Sequence, residues 1–146
     1  MTGRKSAQIH NVDRFKPRSD RPFLHRVVEN VLDFTSHSGL EISVLLTDDD
    51  GIAELHGESL DDPTPTDVLS FGMDDSVDLV VNVQRAREEA PRRGTTLRAD
   101  LALYVVHGML HACGYDDGEE RDRARMRAAE RGVMERLGLR YAAVDD

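Results

Sequence analysis

One segment of this 146-residue chain is apolar over most of the surface that a helix would present. It spans residues 97–113, and its apolar side chains recur at helical spacings of three and four: Leu101, Tyr104, Val105, Met109 and Ala112. A helix of this kind is stable only when other elements cover most of its surface. The segment therefore predicts a buried central helix, and the chain is long enough to build one domain around it.

The rest of the sequence predicts strands and helices on both sides of this helix. Strands are predicted at residues 7–12, 41–46, 67–71 and 77–81, with a hairpin between the last two. Further helices are predicted to begin at Arg21 (capped by Asp20), at Thr47, at Asn82 and at Glu119, with the third ended by Pro91. Residues 1–6 and 142–146 lack periodicity and are predicted to be loose tails of a single domain, 1–146.

Charge is distributed unevenly along the chain. The net charge is −9, yet residues 27–84 contain fourteen acidic side chains and no Lys or Arg. All nineteen basic residues lie outside this window, so the two ends of the chain could meet as one basic face for an anionic partner. The alternative is an ordinary solvated surface of mixed charge, because the Arg-rich C-terminal segment also contains acidic residues.

The sequence suits a reducing, cytoplasmic environment. It has no apolar run that could span a membrane and no apolar signal-peptide core near Met1. Its single cysteine, Cys113, cannot form an internal disulfide. Because Cys113 follows an apolar run, we interpret it as a small buried residue rather than a nucleophile.

The residues that carry chemistry lie at the end of the central helix. His107 and His111 are four residues apart, so they share one helix face and can bind one metal ion. A catalytic metal site needs a third protein ligand and an open position. Gly114 can reverse the chain in a left-handed conformation and bring Asp117 within reach. Asp116 is the alternative third ligand, or an acceptor for a ligand imidazole N–H.

A histidine pair at this spacing can also be coincidental. Here it lies on the most apolar helix of the chain, where two unpartnered imidazoles would cost several kcal/mol. The pattern thus favours a metal-dependent hydrolase. A peptidase is less favoured, because His-Glu-x-x-His peptidases carry their general base where this chain has Gly108.

Two blocks of the sequence form distinctive motifs: His107-Gly108-x-Leu110-His111-x-x-Gly114-Tyr115-Asp116 and Thr66-Asp67-Val68-Leu69-Ser70-Phe71. Both blocks resemble the signatures of the YbeY family, bacterial zinc-dependent endoribonucleases of rRNA maturation. Asp78-Leu79-Val80-Val81 is similar to the strand that follows in the family, without its Gly. The resemblance covers most of residues 8–137. It implies an α/β (α+β) fold with a small mixed sheet of about four strands, packed helices and a central metal-bearing helix.

The resemblance also implies a function. It points to a single-strand-specific endoribonuclease in rRNA maturation and ribosome quality control, with one Zn²⁺ per chain. The implied partners are precursor rRNA and the small ribosomal subunit, with no DNA and no membrane.

Two positions depart from the family pattern. Asp117 stands where the family usually has a third His, so Mn²⁺ or Fe²⁺ becomes an alternative to Zn²⁺. Leu60 stands where the family has an Arg, six residues before Thr66. That Arg is the family's candidate for contacting phosphate, and its replacement predicts weakened cleavage. Other candidates for a cation at the site are Arg92, Arg93 and Arg98, while no general base can be assigned.

These departures leave two alternative functions. One is a ribosome-associated RNA-binding factor that keeps the metal fold and has lost most of its catalysis. The other is a metal-dependent hydrolase or peptidase that acts on another substrate.

Overall fold

Strands and helices follow one another along the chain in an α+β order. The computed structural model describes residues 8–11, 21–37, 39–60, 66–116 and 118–142. Their elements are β1 (Gln8–Asn11), α1 (Arg21–Thr35), β2 (Glu41–Thr47), α2 (Asp49–Leu60), β3 (Val68–Gly72), β4 (Ser76–Asn82), α3 (Val83–Arg92), α4 (Leu97–Ala112) and α5 (Glu120–Arg136). The predicted cap at Asp20, the loop at 61–65, Asp117 and the tails up to residue 6 and from residue 143 lie outside the described residues.

The strands of the described residues form one mixed sheet in the order β1-β2-β4-β3. β1, β2 and β4 are parallel, and β3 is antiparallel to β4. The predicted hairpin is closed by Met73 N–H, which donates to the carbonyl of Ser76 at 2.8 Å. The predicted fold class, a small mixed sheet with helices packed on it, is confirmed. No helix in the described ranges is both long enough and apolar enough to cross a membrane.

The main core lies between one face of the sheet and four helices. α4 is the central helix, in contact with α1, α3, α5 and the strands β3 and β4. Residues 99–106 and 108–110 of α4 are all buried, as the sequence predicted. α2 packs on the opposite face of the sheet, where Ile52 lies in a small cluster with Leu69 and Val80. The contacts of α4 with α1, α3, α5, β3 and β4 therefore hold the histidine-bearing helix in place.

The prediction that Pro91 ends α3 is wrong. The helix begins after Asn82, whose side chain caps it, and continues through Pro91 to Arg92. A proline near the end of a helix removes only one donor, and the next donors still close the turn. Arg93 N–H donates to the carbonyl of Glu89 at 3.1 Å, and Thr95 N–H donates to that of Ala90 at 2.9 Å.

An ion pair joins the end of α3 to the start of α4. The Arg93 guanidinium donates to Asp100, whose side chain is 1% exposed. Burial raises the pKa of the Asp100 carboxyl, and the charge of Arg93 opposes that rise. The arginine thus compensates the cost of placing a carboxylate inside the protein.

Removing this arginine should destabilise the fold. Arg93→Met leaves the Asp100 carboxylate buried without its cation, a change that costs about 3–5 kcal/mol in free energy of unfolding. Arg92→Met is the matched control, because the Arg92 side chain is 74% exposed and its pair with Glu89, at 3.6 Å, should be worth less than about 1 kcal/mol. Urea denaturation of both variants measures the difference. Equal losses in the two variants would contradict the assigned role of Arg93.

Candidate metal centre

The two predicted histidine ligands converge on one point. His107 Nε2 and His111 Nε2 are 3.1 Å apart, on successive turns of α4. Their ring centres are 4.6 Å apart and their planes are inclined by 80°. Two nitrogen ligands at 2.0–2.1 Å from a tetrahedral zinc ion would lie about 3.3 Å apart. The histidine pair therefore fits a shared metal ion.

The chain reverses after α4, as the sequence predicted for Gly114. This residue has a φ of 100°, a left-handed conformation that glycine adopts without strain. Gly114 N–H donates to the carbonyl of His111 at 3.1 Å, and Tyr115 N–H donates to that of Leu110 at 2.9 Å. This pair of bonds is the Schellman motif, which turns the chain back along the helix it has just left.

The third ligand remains a prediction. Asp117 lies outside the described residues. Asp116 is exposed, and its Oδ1 accepts a hydrogen bond from Gly118 N–H at 3.2 Å. Across the described ranges, no three His, Cys, Asp or Glu side chains are grouped in a way that could hold a metal ion. The described part of the site is thus the histidine pair and the groups that contact it.

Glu130 of α5 is a site residue that the sequence interpretation missed. Its Oε2 lies 2.5 Å from His107 Nδ1, the ring nitrogen that faces away from His111. Its other oxygen, Oε1, accepts a hydrogen bond from Tyr141 Oη at 2.8 Å. A signal was present, because Glu130 is four residues after Met126 and therefore lies on the buried stripe of α5.

Gly108 allows α4 to approach the sheet closely. A Cβ atom at this position would lie 2.9 Å from Leu79 Cδ2 and 3.0 Å from Val68 Cγ2. A larger side chain would force Leu79, Val68 or α4 itself to shift. Packing at this position therefore disfavours a glutamate at the place where a His-Glu-x-x-His peptidase has its general base.

Sequence comparison identifies the family of this chain. A family profile described as "Endoribonuclease YbeY" matches residues 8–138 of the chain. The chain belongs to the YbeY family. A Heliobacterium modesticaldum protein named Endoribonuclease YbeY is 35% identical over 117 residues, which cover 68% of this chain and 70% of that protein. A Roseiflexus protein of the same name is 32% identical over 151 aligned residues, which cover 92% of this chain and 94% of that protein.

A solved structure shows the same fold. The solution structure of a Thermotoga maritima protein matches with a TM-score of 0.63 and 24% identity, over 89% of each chain. Membership of the YbeY family was predicted from two sequence blocks, and it is confirmed.

The second YbeY block, Thr66–Phe71, forms the start of β3 and is fixed by one buried side chain. Asn82 Nδ2 donates to the carbonyl of Thr66 at 3.0 Å and to Asp49 Oδ1 at 2.6 Å. The backbone N–H of Asn82 donates to the carbonyl of Asp67 at 2.9 Å. These bonds tie β3 to β4 and to α2, and so fix the surface on which α4 rests.

The arginines that the sequence suggested for a cationic role lie at the junction of α3 and α4: Arg92, Arg93 and Arg98. Arg93 is bound to Asp100, and the guanidinium carbon of Arg98 lies 4.3 Å from the ring centre of Phe23. Arg98 precedes His107 by two and a half helical turns, about 14 Å along the axis. This separation argues against direct contact between Arg98 and a group bound at the histidines, and the bond to Asp100 argues against such contact for Arg93.

Two basic side chains of α5 lie near Tyr141, the hydrogen-bond partner of Glu130. The guanidinium carbon of Arg131 is 5.4 Å from the ring centre of Tyr141, the residue bound to Glu130. Arg127 is close enough to act on the same phenol electrostatically. Both arginines are exposed, so they present positive charge to solvent near Tyr141.

Cys113 directly follows α4 and is half-buried. Its Sγ lies 3.8 Å from Thr35 Oγ1, and burial raises the pKa of the thiol. The protonated thiol is a poor nucleophile, in agreement with its interpretation as a packing residue.

Proposed function

We propose that this chain is a metal-dependent endoribonuclease that cleaves single-stranded regions of precursor rRNA. The proposed metal is one Zn²⁺, bound by His107, His111 and Asp117, with Mn²⁺ or Fe²⁺ as alternatives. We place its action in the cytoplasm, during maturation and quality control of the small ribosomal subunit. The observation that carries the proposal is the convergence of the two Nε2 atoms at 3.1 Å on the central helix of a YbeY-family fold.

Each residue described above would have a separate role at such a site. When bound, zinc supplies Lewis-acid chemistry, which acidifies a water molecule and polarises a phosphoryl group. His107 and His111 supply nitrogen lone pairs from a rigid, buried helix, so their relative position changes little. Glu130 is hydrogen-bonded to Nδ1 of His107, so Nε2 of the same ring is left facing His111. The Schellman turn at Gly114 reverses the chain three residues before Asp117.

RNA phosphates need cationic partners beside the histidines. In this proposal Arg127 and Arg131 are better placed than Arg92, Arg93 and Arg98, because they lie next to the Tyr141–Glu130 pair. Their contacts would fix the RNA backbone without reading its sequence. Leu60 stands at the position of the Arg that is the family's candidate for contacting phosphate, and it carries no charge.

A second candidate function is an RNA-binding factor with little catalysis. The absence of any Lys or Arg in residues 27–84, together with Leu60, favours this alternative. A peptidase-like hydrolase is less favoured, because Gly108 stands where that class has its general base and the packing of Gly108 against Leu79 and Val68 leaves little room for a larger side chain.

RNA cleavage with and without a chelator distinguishes these functions. We expect purified protein to cut a single-stranded oligonucleotide at internal positions, to stop when a chelator is added, and to resume when excess zinc is restored. An oligonucleotide blocked at both ends excludes exonucleases, and a duplex of the same sequence tests the preference for single strands. Binding of RNA without cleavage under any of the three metals would contradict the nuclease proposal and favour the RNA-binding alternative.

A further inference from the structure

We propose that Glu130 and Tyr141 are positioning residues for the metal site and act through His107. The inference rests on the proposed function, because it takes the histidine pair to be the metal-binding group. It adds two residues that lie outside both sequence blocks of the family resemblance. The juxtaposition that carries it is a hydrogen-bonded chain from Tyr141 Oη through the Glu130 carboxylate to His107 Nδ1.

The direction of these hydrogen bonds follows from the chemistry of the three groups. A carboxylate accepts and cannot donate, so Tyr141 Oη and His107 Nδ1 must each supply the hydrogen to Glu130. Burial and the hydrogen bond to Glu130 raise the pKa of Tyr141, which keeps the phenol a donor. With the hydrogen held on Nδ1, the lone pair of His107 is on Nε2, the atom that lies 3.1 Å from His111 Nε2.

Burial makes this arrangement specific. Glu130 is 4% exposed, so water cannot readily replace either of its partners. Its two oxygens have different partners, and the Tyr141 bond therefore fixes the rotation of the carboxylate about its own axis. A carboxylate fixed in this way also fixes the plane of the imidazole, which determines where Nε2 points. Outer partners of this type commonly contribute 10–100-fold to metal affinity.

Two substitutions test the chain of hydrogen bonds with little change in volume. Glu130→Gln replaces one acceptor oxygen with an NH2 donor and removes the negative charge, so the side chain can no longer accept from Tyr141 and His107 through separate oxygens and holds the His107 hydrogen less strongly. Tyr141→Phe removes only the hydroxyl that fixes the carboxylate. Glu135→Gln is the matched control, because Glu135 is on the same helix and exposed. Chelator competition measures zinc affinity, and thermal unfolding of the metal-free proteins shows whether each variant still folds.

We expect Glu130→Gln to weaken zinc binding about 10–100-fold, Tyr141→Phe to weaken it less, and Glu135→Gln to leave it within twofold. A purely structural role would instead lower the melting temperature of the metal-free protein and leave the His107 ring unchanged. Nitrogen NMR of His107 in the metal-free protein reports which ring nitrogen holds the hydrogen. In the parent it should be Nδ1, and in Glu130→Gln the population should shift towards Nε2.

The two proposals can fail separately. If the parent protein takes up no zinc, the proposed metal site is wrong, and the NMR measurement still decides whether Glu130 orients His107. If the parent binds zinc and Glu130→Gln binds it equally well, the positioning role is overturned and the metal site stands. An unchanged His107 tautomer in Glu130→Gln would overturn the positioning role as well.

Discussion

Replacing His111 with Ala should remove zinc and RNA cleavage together. The substitution takes away one of the two nitrogens that converge at 3.1 Å, and a single histidine with one carboxylate is a weak site. We expect zinc content to fall from one ion per chain to nearly none. The affinity loss should exceed the roughly 10–100-fold that removal of an outer partner costs. Elemental analysis after purification without added metal, with cleavage of a single-stranded oligonucleotide, measures both effects.

His37→Ala is the control for this experiment. His37 is exposed and lies just beyond the end of α1, so its removal should change neither zinc content nor rate. The variants can be compared with the parent only if the parent protein contains zinc. A parent that contains no zinc and takes up none, or a His111→Ala variant that retains a full equivalent, would contradict the predicted ligand set.

Replacing Leu60 with Arg should accelerate RNA cleavage. One preorganised donor to a developing negative charge is typically worth about 10²–10³ in rate, and Leu60 cannot donate a hydrogen bond to phosphate. Arginine is preferred over lysine, because its planar guanidinium can contact two phosphate oxygens at once. The rate on single-stranded RNA should rise while zinc content stays the same. Asp61 and Asp62 can pair with the new side chain, so the change should also be tested with both as Asn.

The control for Leu60→Arg carries the same charge change elsewhere on α2. Glu54→Gln raises the net charge by one unit, as Leu60→Arg does, at an exposed position of that helix, six residues before Leu60. It should improve RNA binding at low salt through general attraction and should leave the maximal rate unchanged. If both variants accelerate cleavage equally, the benefit is one of overall charge, and position 60 has no special role.

Much of the fold could be predicted from local patterns. Alternating burial in Glu41–Thr47 and the apolar stripe of Arg21–Thr35 follow the periods of a strand and a helix. The end of α3 was predicted wrongly, because the rule for proline describes the interior of a helix. Pro91 lies in the last turn, where the loss of one donor is inexpensive and Arg93 N–H still closes the helix.

The site was predictable where it is local in sequence. His107 and His111 are one turn apart, so their spacing alone predicts that their imidazoles meet. The bond between Glu130 and His107 joins residues 23 positions apart, on helices whose packing no local period determines. The sequence shows that Glu130 faces the core, and only the three-dimensional arrangement of α4 and α5 shows which partner it meets.

The close contact at Gly108 has a consequence for how this site can be altered by design or by evolution. The residue that sets the distance between α4 and the sheet lies between the two histidines in the sequence. Packing and ligation are therefore coupled, because a substitution at position 108 would shift either the helix that holds both nitrogens or the strand side chains it packs on. Placing a functional side chain at position 108 would first require smaller side chains at Val68 and Leu79. A search for new activities in this scaffold would do better to begin with the exposed surface of α5, where changes leave that contact intact.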